Sequence, residues 1–119
     1  MSNQFSMPAI PSITVEELAE CLQGSSDDLQ LLDVREPEEV AIACLKGFIN
    51  LPLSQSEQWS GNITTEFNPH VETLVLCHHG IRSAHMCQWL SAQGFTNVKN
   101  ISGGIDAFSI RVDPLVPRY

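Results

Sequence analysis

The sequence predicts an α/β fold with a mainly parallel sheet, and three observations carry that expectation. Short, largely apolar runs at 29–34 and 73–77 have the length and composition of strands buried on both faces, and a last short strand follows at 97–101. Between them lie stretches whose apolar residues recur at helical spacing. Turn residues mark most of the junctions, and strands that alternate with helices are joined by parallel crossovers.

Taken in order, residues 1–11 read as an irregular arm, kept out of helix by Pro8 and Pro11, and residues 12–119 as a single domain. Thr14 and Glu17 are spaced as a capping box, opening a helix through Leu22 with Val15, Leu18, Ala19 and Leu22 on one face. A turn over 24–28 leads into the strand Leu29–Val34. Pro37 suits the first turn of a second helix, with Glu36, Glu38 and Glu39 at its positive end. Residues 48–52 give a weaker strand ended by Pro52, and 53–70 are the least readable, with one short helix around 57–59. Thr73–Cys77 is the clearest strand. A helix is expected over Ser83–Gln93, stopped by Gly94, then a strand at 97–101 and a closing helix near Ile105–Ile110 after Gly103-Gly104.

A chain of 119 residues, 43% hydrophobic, can bury a core without metal or disulfide staples. The formal charge of −8 disfavours nucleic acid and anionic membranes as partners, since the overall field repels phosphates. A small anionic substrate would need a positive patch built by the fold, because the six basic residues are scattered. Four cysteines without a disulfide framework, and no signal-like or membrane-spanning segment, lead us to expect a reducing, cytoplasmic setting.

The stretch VLCHHGIRSA, residues 75–84, carries the chemistry. Sites in open parallel sheets form beyond the carboxyl ends of strands, and Cys77 stands at such an end with a helix following. A loop entering a helix can aim several N–H groups inward as an anion-binding nest. Gly80 permits a positive backbone angle within it, and Ser83 can cap the helix. An ordinary free cysteine is only about 3% thiolate at neutral pH. Making a thiol mostly thiolate requires roughly 2.7 kcal/mol. A helix N-terminus supplies about 0.3–2 kcal/mol, and an arginine at around 5 Å on the order of 3 kcal/mol at an effective dielectric near 20. Arg82, with His78 or His79 in reserve, is placed to contribute.

Against this stands the plain reading that a cysteine ending a buried strand is a small hydrophobe. The residues that follow Cys77 favour function for it. Cys87 lies on the apolar stripe of its helix and reads as core, and Cys21 and Cys44 read as packing residues. A zinc site among Cys77, His78, His79, His85 and Cys87 is disfavoured by spacing, since His85 and Cys87 face different sides of one helix. No metal and no cofactor are expected.

The segment CHHGIRS resembles the active-site loop of rhodanese-type sulfurtransferases. LLDVREPEEV is similar to that family's Asp-x-Arg-Glu strand and helix, KGFINLPL to its Gly-Ala-Ile-Asn-Ile-Pro strand, and ISGGIDAF to its closing Gly-Gly turn, all in family order between Ile13 and Phe108. The resemblance implies a three-layer rhodanese-like fold, a mainly parallel five-stranded sheet with helices on both faces. It implies that Cys77 takes a sulfane sulfur from thiosulfate or a persulfide and passes it to cyanide or a thiol. The loop of His78, His79, Gly80, Ile81, Arg82 and Ser83 would cradle the persulfide, and Arg82 would bind the donor's anionic end. Arg35 would reach the pocket and Asp33 orient basic groups at its floor, the other reading of these two being a structural ion pair. Gly103 and Gly104 read as turn-shaping rather than substrate-touching.

The six residues from Cys77 to Arg82 match the sulfur-transferring members, whereas phosphatases of this fold use a loop one residue longer. The departures are Ala43-Cys44 in place of Gly-His, Phe48 in place of alanine, and Phe108 in place of tryptophan. The first makes Cys44 a candidate second functional thiol. His78 replaces a common arginine or lysine, so weak thiosulfate binding at neutral pH is expected. The rival readings are a binding or sulfur-relay module served by a sulfur-carrier or desulfurase protein, and a phosphatase or arsenate-type anion enzyme.

Overall fold

A computed structural model describes residues 10–24 and 28–119. Most of the expected N-terminal arm, and the middle of the expected turn at 24–28, lie outside those residues.

Five parallel strands run in the order β1-β5-β4-β2-β3, namely β1 (Ser12–Ile13), β2 (Leu29–Asp33), β3 (Ile49–Asn50), β4 (Glu72–Leu76) and β5 (Val98–Ile101). The central strand β4 pairs with β2 over five positions, Leu29 opposite Glu72 through Asp33 opposite Leu76, and with β5 from Thr73 opposite Val98 to Val75 opposite Asn100. Alternation then sorts the strand side chains onto two faces. Leu32, Val34, Val75 and Cys77 join one core with Met86, Cys87, Leu90 and Phe95. Leu31, Leu74, Leu76 and Ile101 join the other with Val15, Leu18, Ile105 and Phe108.

Helices α1 (Val15–Gln23) and α6 (Gly104–Arg111) cover the second face; α5 (Ile81–Ala92) and the short helices α3 (Ser56–Trp59) and α4 (Ile63–Glu66) cover the first. The result is the three-layer arrangement expected from the sequence. α1 begins where its capping box placed it, Thr14 accepting from the Glu17 N–H at 3.1 Å and Glu17 accepting from the Thr14 N–H at 2.8 Å. α2 (Pro37–Ile42) starts at Pro37 as anticipated, with the Glu36 N–H donating to Glu39 Oε1 at 3.0 Å.

Three details differ. β1 is two residues long, too short to show alternation, and exists through pairing with β5. The obscure stretch after Pro52 is a series of short helical turns from Leu53 to Glu66, each too brief for a periodic signal. α5 starts at Ile81, two residues early, because Gly80 (φ 99°) makes the left-handed turn that launches it.

Candidate active site

The loop after β4 closes around the Cys77 sulfur. The N–H groups of Gly80 and Ser83 donate to Sγ at 3.1 and 3.3 Å. The Ser83 hydroxyl lies 3.2 Å from Sγ. Ser83 therefore serves the sulfur rather than capping α5, and its hydroxyl also contacts Asn100 Oδ1. Asn100 on β5 is itself oriented by donating through Nδ2 to the Gly80 carbonyl at 3.0 Å. Cys77 is 1% exposed.

The other side of the loop rests on α6. The Ile105 and Asp106 N–H groups bond the carbonyls of Cys77 and His78 at 3.0 and 3.1 Å. A trans peptide sets N–H opposite to C=O, so the amides of His78 and His79 are turned away from α6. Gly104 makes this approach possible: a Cβ there would lie 2.5 Å from the Cys77 carbonyl oxygen. The turn-shaping role expected of Gly103-Gly104 thus acts on the loop itself.

Arg35 is wholly buried and every one of its five N–H donors finds an acceptor. Nε and Nη2 fork onto Asp33 at 3.0 and 2.8 Å, Nη2 also reaches the Ala43 carbonyl at 2.7 Å, and Nη1 meets the Glu39 carbonyl at 3.3 Å and the Tyr119 hydroxyl at 2.9 Å. Of the two readings open for Asp33 and Arg35, this geometry is that of a buried ion pair bracing the loop's surroundings.

Arg82 is placed differently from the expectation that it faces the donor. Its guanidinium makes an end-on, two-pronged pair with Glu39, Nη1 to Oε1 at 2.7 Å and Nη2 to Oε2 at 2.9 Å. That pair pulls the Glu39 carboxyl down to about 2, the Arg82 bonds being the main cause. The arginine's field at the sulfur is correspondingly offset. Tyr119 completes the cluster, its hydroxyl donating to Glu39 Oε2 at 2.8 Å and its ring stacking on His78 at 3.9 Å. Burial, helped by neighbouring His79, holds His78 below the usual imidazole range. Its Nε2 is buried without a hydrogen-bond partner among the described residues. His79 and Ile81 are exposed, the His79 ring lying 3.9 Å from that of His78.

Among the described residues, His78, His79 and Asp106 are the group close enough to share a metal ion, with ligand atoms within 4.8 Å. Asp106 already holds Arg118 at 2.8 Å, a cation that competes with any metal there. The histidines and cysteines that crowd the sequence separate in space: Cys87 is core, its thiol pushed up to about 12 by burial, while His85 lines a cavity of about 340 Å³ with Arg82, Met86, Trp59 and Trp89. Cys44 is exposed, which corrects its reading as a packing residue. Its neighbours Ala43 and Leu45 are the buried ones.

Sequence reasoning missed Asn100 and Tyr119, and assigned Glu39 only to a helix end. Asn100 carried no distinguishing signal, since it shares the short strand 97–101 with two other polar residues, Asn97 and Lys99. Tyr119 and Glu39 gave none for their contacts at the site, since the Tyr119 hydroxyl meets Arg35 across 84 positions and Glu39 across 80, and Glu39 meets Arg82 across 43.

Comparison with known proteins agrees with this architecture. The rhodanese-like domain profile matches residues 14–111. The chain is 47% identical over 112 residues to Rhodanese-like/PpiC domain-containing protein 12, chloroplastic, of Arabidopsis thaliana, covering 92% of this chain and 38% of that protein. It is 30% identical over 125 residues to the Arabidopsis thaliana adenylyltransferase and sulfurtransferase MOCS3, covering 95% of this chain and 27% of the relative. A rhodanese-like domain protein from Staphylococcus aureus superposes with a TM-score of 0.73 at 28% identity, covering 92% of this chain and 99% of that structure. The chain spans less than half the length of those two Arabidopsis relatives, and the family's members include sulfurtransferases and sulfur-carrier proteins. With the motifs, the sheet order and the loop in agreement, the chain belongs to the rhodanese-like domain family.

Proposed function

We propose that this domain transfers a sulfane sulfur through a persulfide on Cys77. The observation that carries the reading is the pair of loop N–H groups, of Gly80 and Ser83, converging on Sγ within 3.3 Å. Donors aimed at a sulfur in a water-poor bowl stabilise negative charge there before any substrate arrives.

The Cys77 thiolate attacks the outer sulfur of a donor, forming the Cys–S–S bond as the donor's own bond to that sulfur breaks. From thiosulfate the electron pair leaves on sulfite; from an organic persulfide it leaves on the thiolate. The terminal sulfur, now anionic, takes up the loop's inward N–H groups. A thiolate or cyanide then attacks that sulfur, and Cys77 departs as thiolate. No net oxidation occurs and no cofactor is required. The Ser83 hydroxyl has one hydrogen and two neighbours, Asn100 Oδ1 and Sγ. As charge builds on sulfur, rotation of that hydrogen from the amide to Sγ adds a charge-assisted bond.

The test is intact mass after exposure to thiosulfate or glutathione persulfide. The wild type is expected to gain one sulfur atom, reversed by cyanide, and Cys77→Ser to gain none. A Cys77→Ser chain that still turns over ends the proposal, as does hydrolysis of a phenyl phosphate in place of sulfur loading.

A further inference from the structure

Five of the six basic side chains stand in ion pairs among the described residues: Arg35 with Asp33, Arg82 with Glu39, Arg111 with Glu16, Arg118 with Asp106 and Lys99 with Glu72. The two arginines nearest the loop are the most completely occupied. Arg35 has no donor left. Arg82 presents its Nη1 and Nη2 edge to a carboxylate, and that carboxylate is further held by the Tyr119 hydroxyl and the Glu36 N–H. His78, which follows Cys77 in the loop and stacks on Tyr119, is held toward its neutral form by burial. A bowl of main-chain N–H groups thus opens into surroundings whose cations are already cancelled, on a chain of net charge −8.

We infer that Glu39 is a specificity-determining residue that turns the site away from small inorganic dianions such as thiosulfate and toward sulfur carried on a thiol. The inference rests on the sulfur-transfer reading for its substrate class. A free Arg82 at the loop's helical end would pair with the sulfonate of thiosulfate; held by Glu39, it presents a carboxylate at the same place. A dianion meets that carboxylate with twice the repulsion a persulfide monoanion meets, and a persulfide on a larger thiol keeps its remaining charge farther out. The transfer itself is unchanged, the persulfide's S–S bond breaking as the Cys77 S–S bond forms and the electron pair leaving on the thiol sulfur. Glu39 touches no reacting atom and acts through Arg82.

Glu39→Gln tests this directly. Glutamine retains the acceptor for the Glu36 N–H, so the start of α2 survives while the charge is lost. Sulfate and thiosulfate affinities would be measured calorimetrically, thiosulfate on a Cys77→Ser background so that no chemistry intervenes. Glu39→Gln is expected to tighten both by about tenfold or more at low ionic strength, the gain shrinking by 0.5 M salt. In loading kinetics the fall in KM for thiosulfate should exceed that for glutathione persulfide by at least about fivefold, with kcat little changed. Unchanged or weaker sulfate affinity overturns the inference, and so does an equal gain for both donors or a gain insensitive to salt. If neither donor loads Cys77 in either chain, the sulfur-transfer reading fails, and the sulfate and thiosulfate affinities still decide whether Glu39 governs anion binding.

Discussion

Ser83 shows how much one side chain contributes beyond its place in a helix. It occupies the third position of α5, yet its backbone N–H and its hydroxyl both address Cys77. Ser83→Ala keeps the first and deletes the second. Loss of one hydrogen bond to a charged sulfur corresponds to roughly 1.5–3 kcal/mol, so the loading rate should fall on the order of ten- to a hundredfold, with a stability cost of about 1 kcal/mol from the Asn100 Oδ1 left without its donor. Stopped-flow loading paired with a denaturation curve measures both, and an unchanged rate removes Ser83 from the site. Gly104→Ala should act the other way. A side chain at φ +62°, 2.5 Å from the Cys77 carbonyl, cannot be accommodated without displacing the loop. A cost of roughly 2–4 kcal/mol is expected together with loss of loading, read as a lowered midpoint in urea.

The helices owe their positions to local signals and their roles to what they meet. α1 is set by the Thr14–Glu17 box, and Thr14→Ala should cost about 1 kcal/mol without touching the site. A matching loss of loading would mean that α1 couples to the loop through α6. α2 is a six-residue helix with no buried residue, too short to persist alone. What holds it is Glu39, capping at one oxygen and pairing with Arg82, and the carbonyls of Glu39 and Ala43 bonded by Arg35. α5 and α6 together make the bowl, one supplying N–H groups to the sulfur and the other taking the loop's carbonyls. Both helix starts turn at a left-handed glycine, Gly80 and Gly103.

The acid response of the whole domain follows from its paired carboxylates. Glu39 is held at about 2, chiefly by its bonds to Arg82; Asp106 and Glu17 are also lowered, by Arg118 and by the Thr14 N–H respectively. A carboxyl with a depressed folded value binds fewer protons folded than unfolded. Its stabilisation is therefore complete above the ordinary range near 4.5 and lost as pH falls toward 2. With Arg82 about one-third exposed, the Glu39 share is about 1–2 kcal/mol after solvent screening. Unfolding free energy should thus fall below about pH 5 on account of these carboxylates, after an earlier and smaller decline through the ordinary imidazole range because the fold holds His78 toward its neutral form, and Glu39→Gln should flatten part of the fall below about pH 5. Parallel curves for the two chains would show that the pair contributes nothing.

The order of short apolar runs and capped helices was enough to announce a parallel α/β sheet, because each of those signals is written in neighbouring residues. The loop around Cys77, the proposed nucleophile, was legible for the same reason: strand end, cysteine, glycine and helix start are contiguous from Val75 to Ala84. Charge cancellation around it was not. Arg82 meets Glu39 across 43 positions and Arg35 meets Tyr119 across 84, and nothing local distinguishes an arginine that will face a substrate from one that will be claimed by a carboxylate. Parallel crossovers bring the carboxyl ends of β2, β4 and β5 to one rim, and only that convergence settles which opposite charges come within hydrogen-bonding reach.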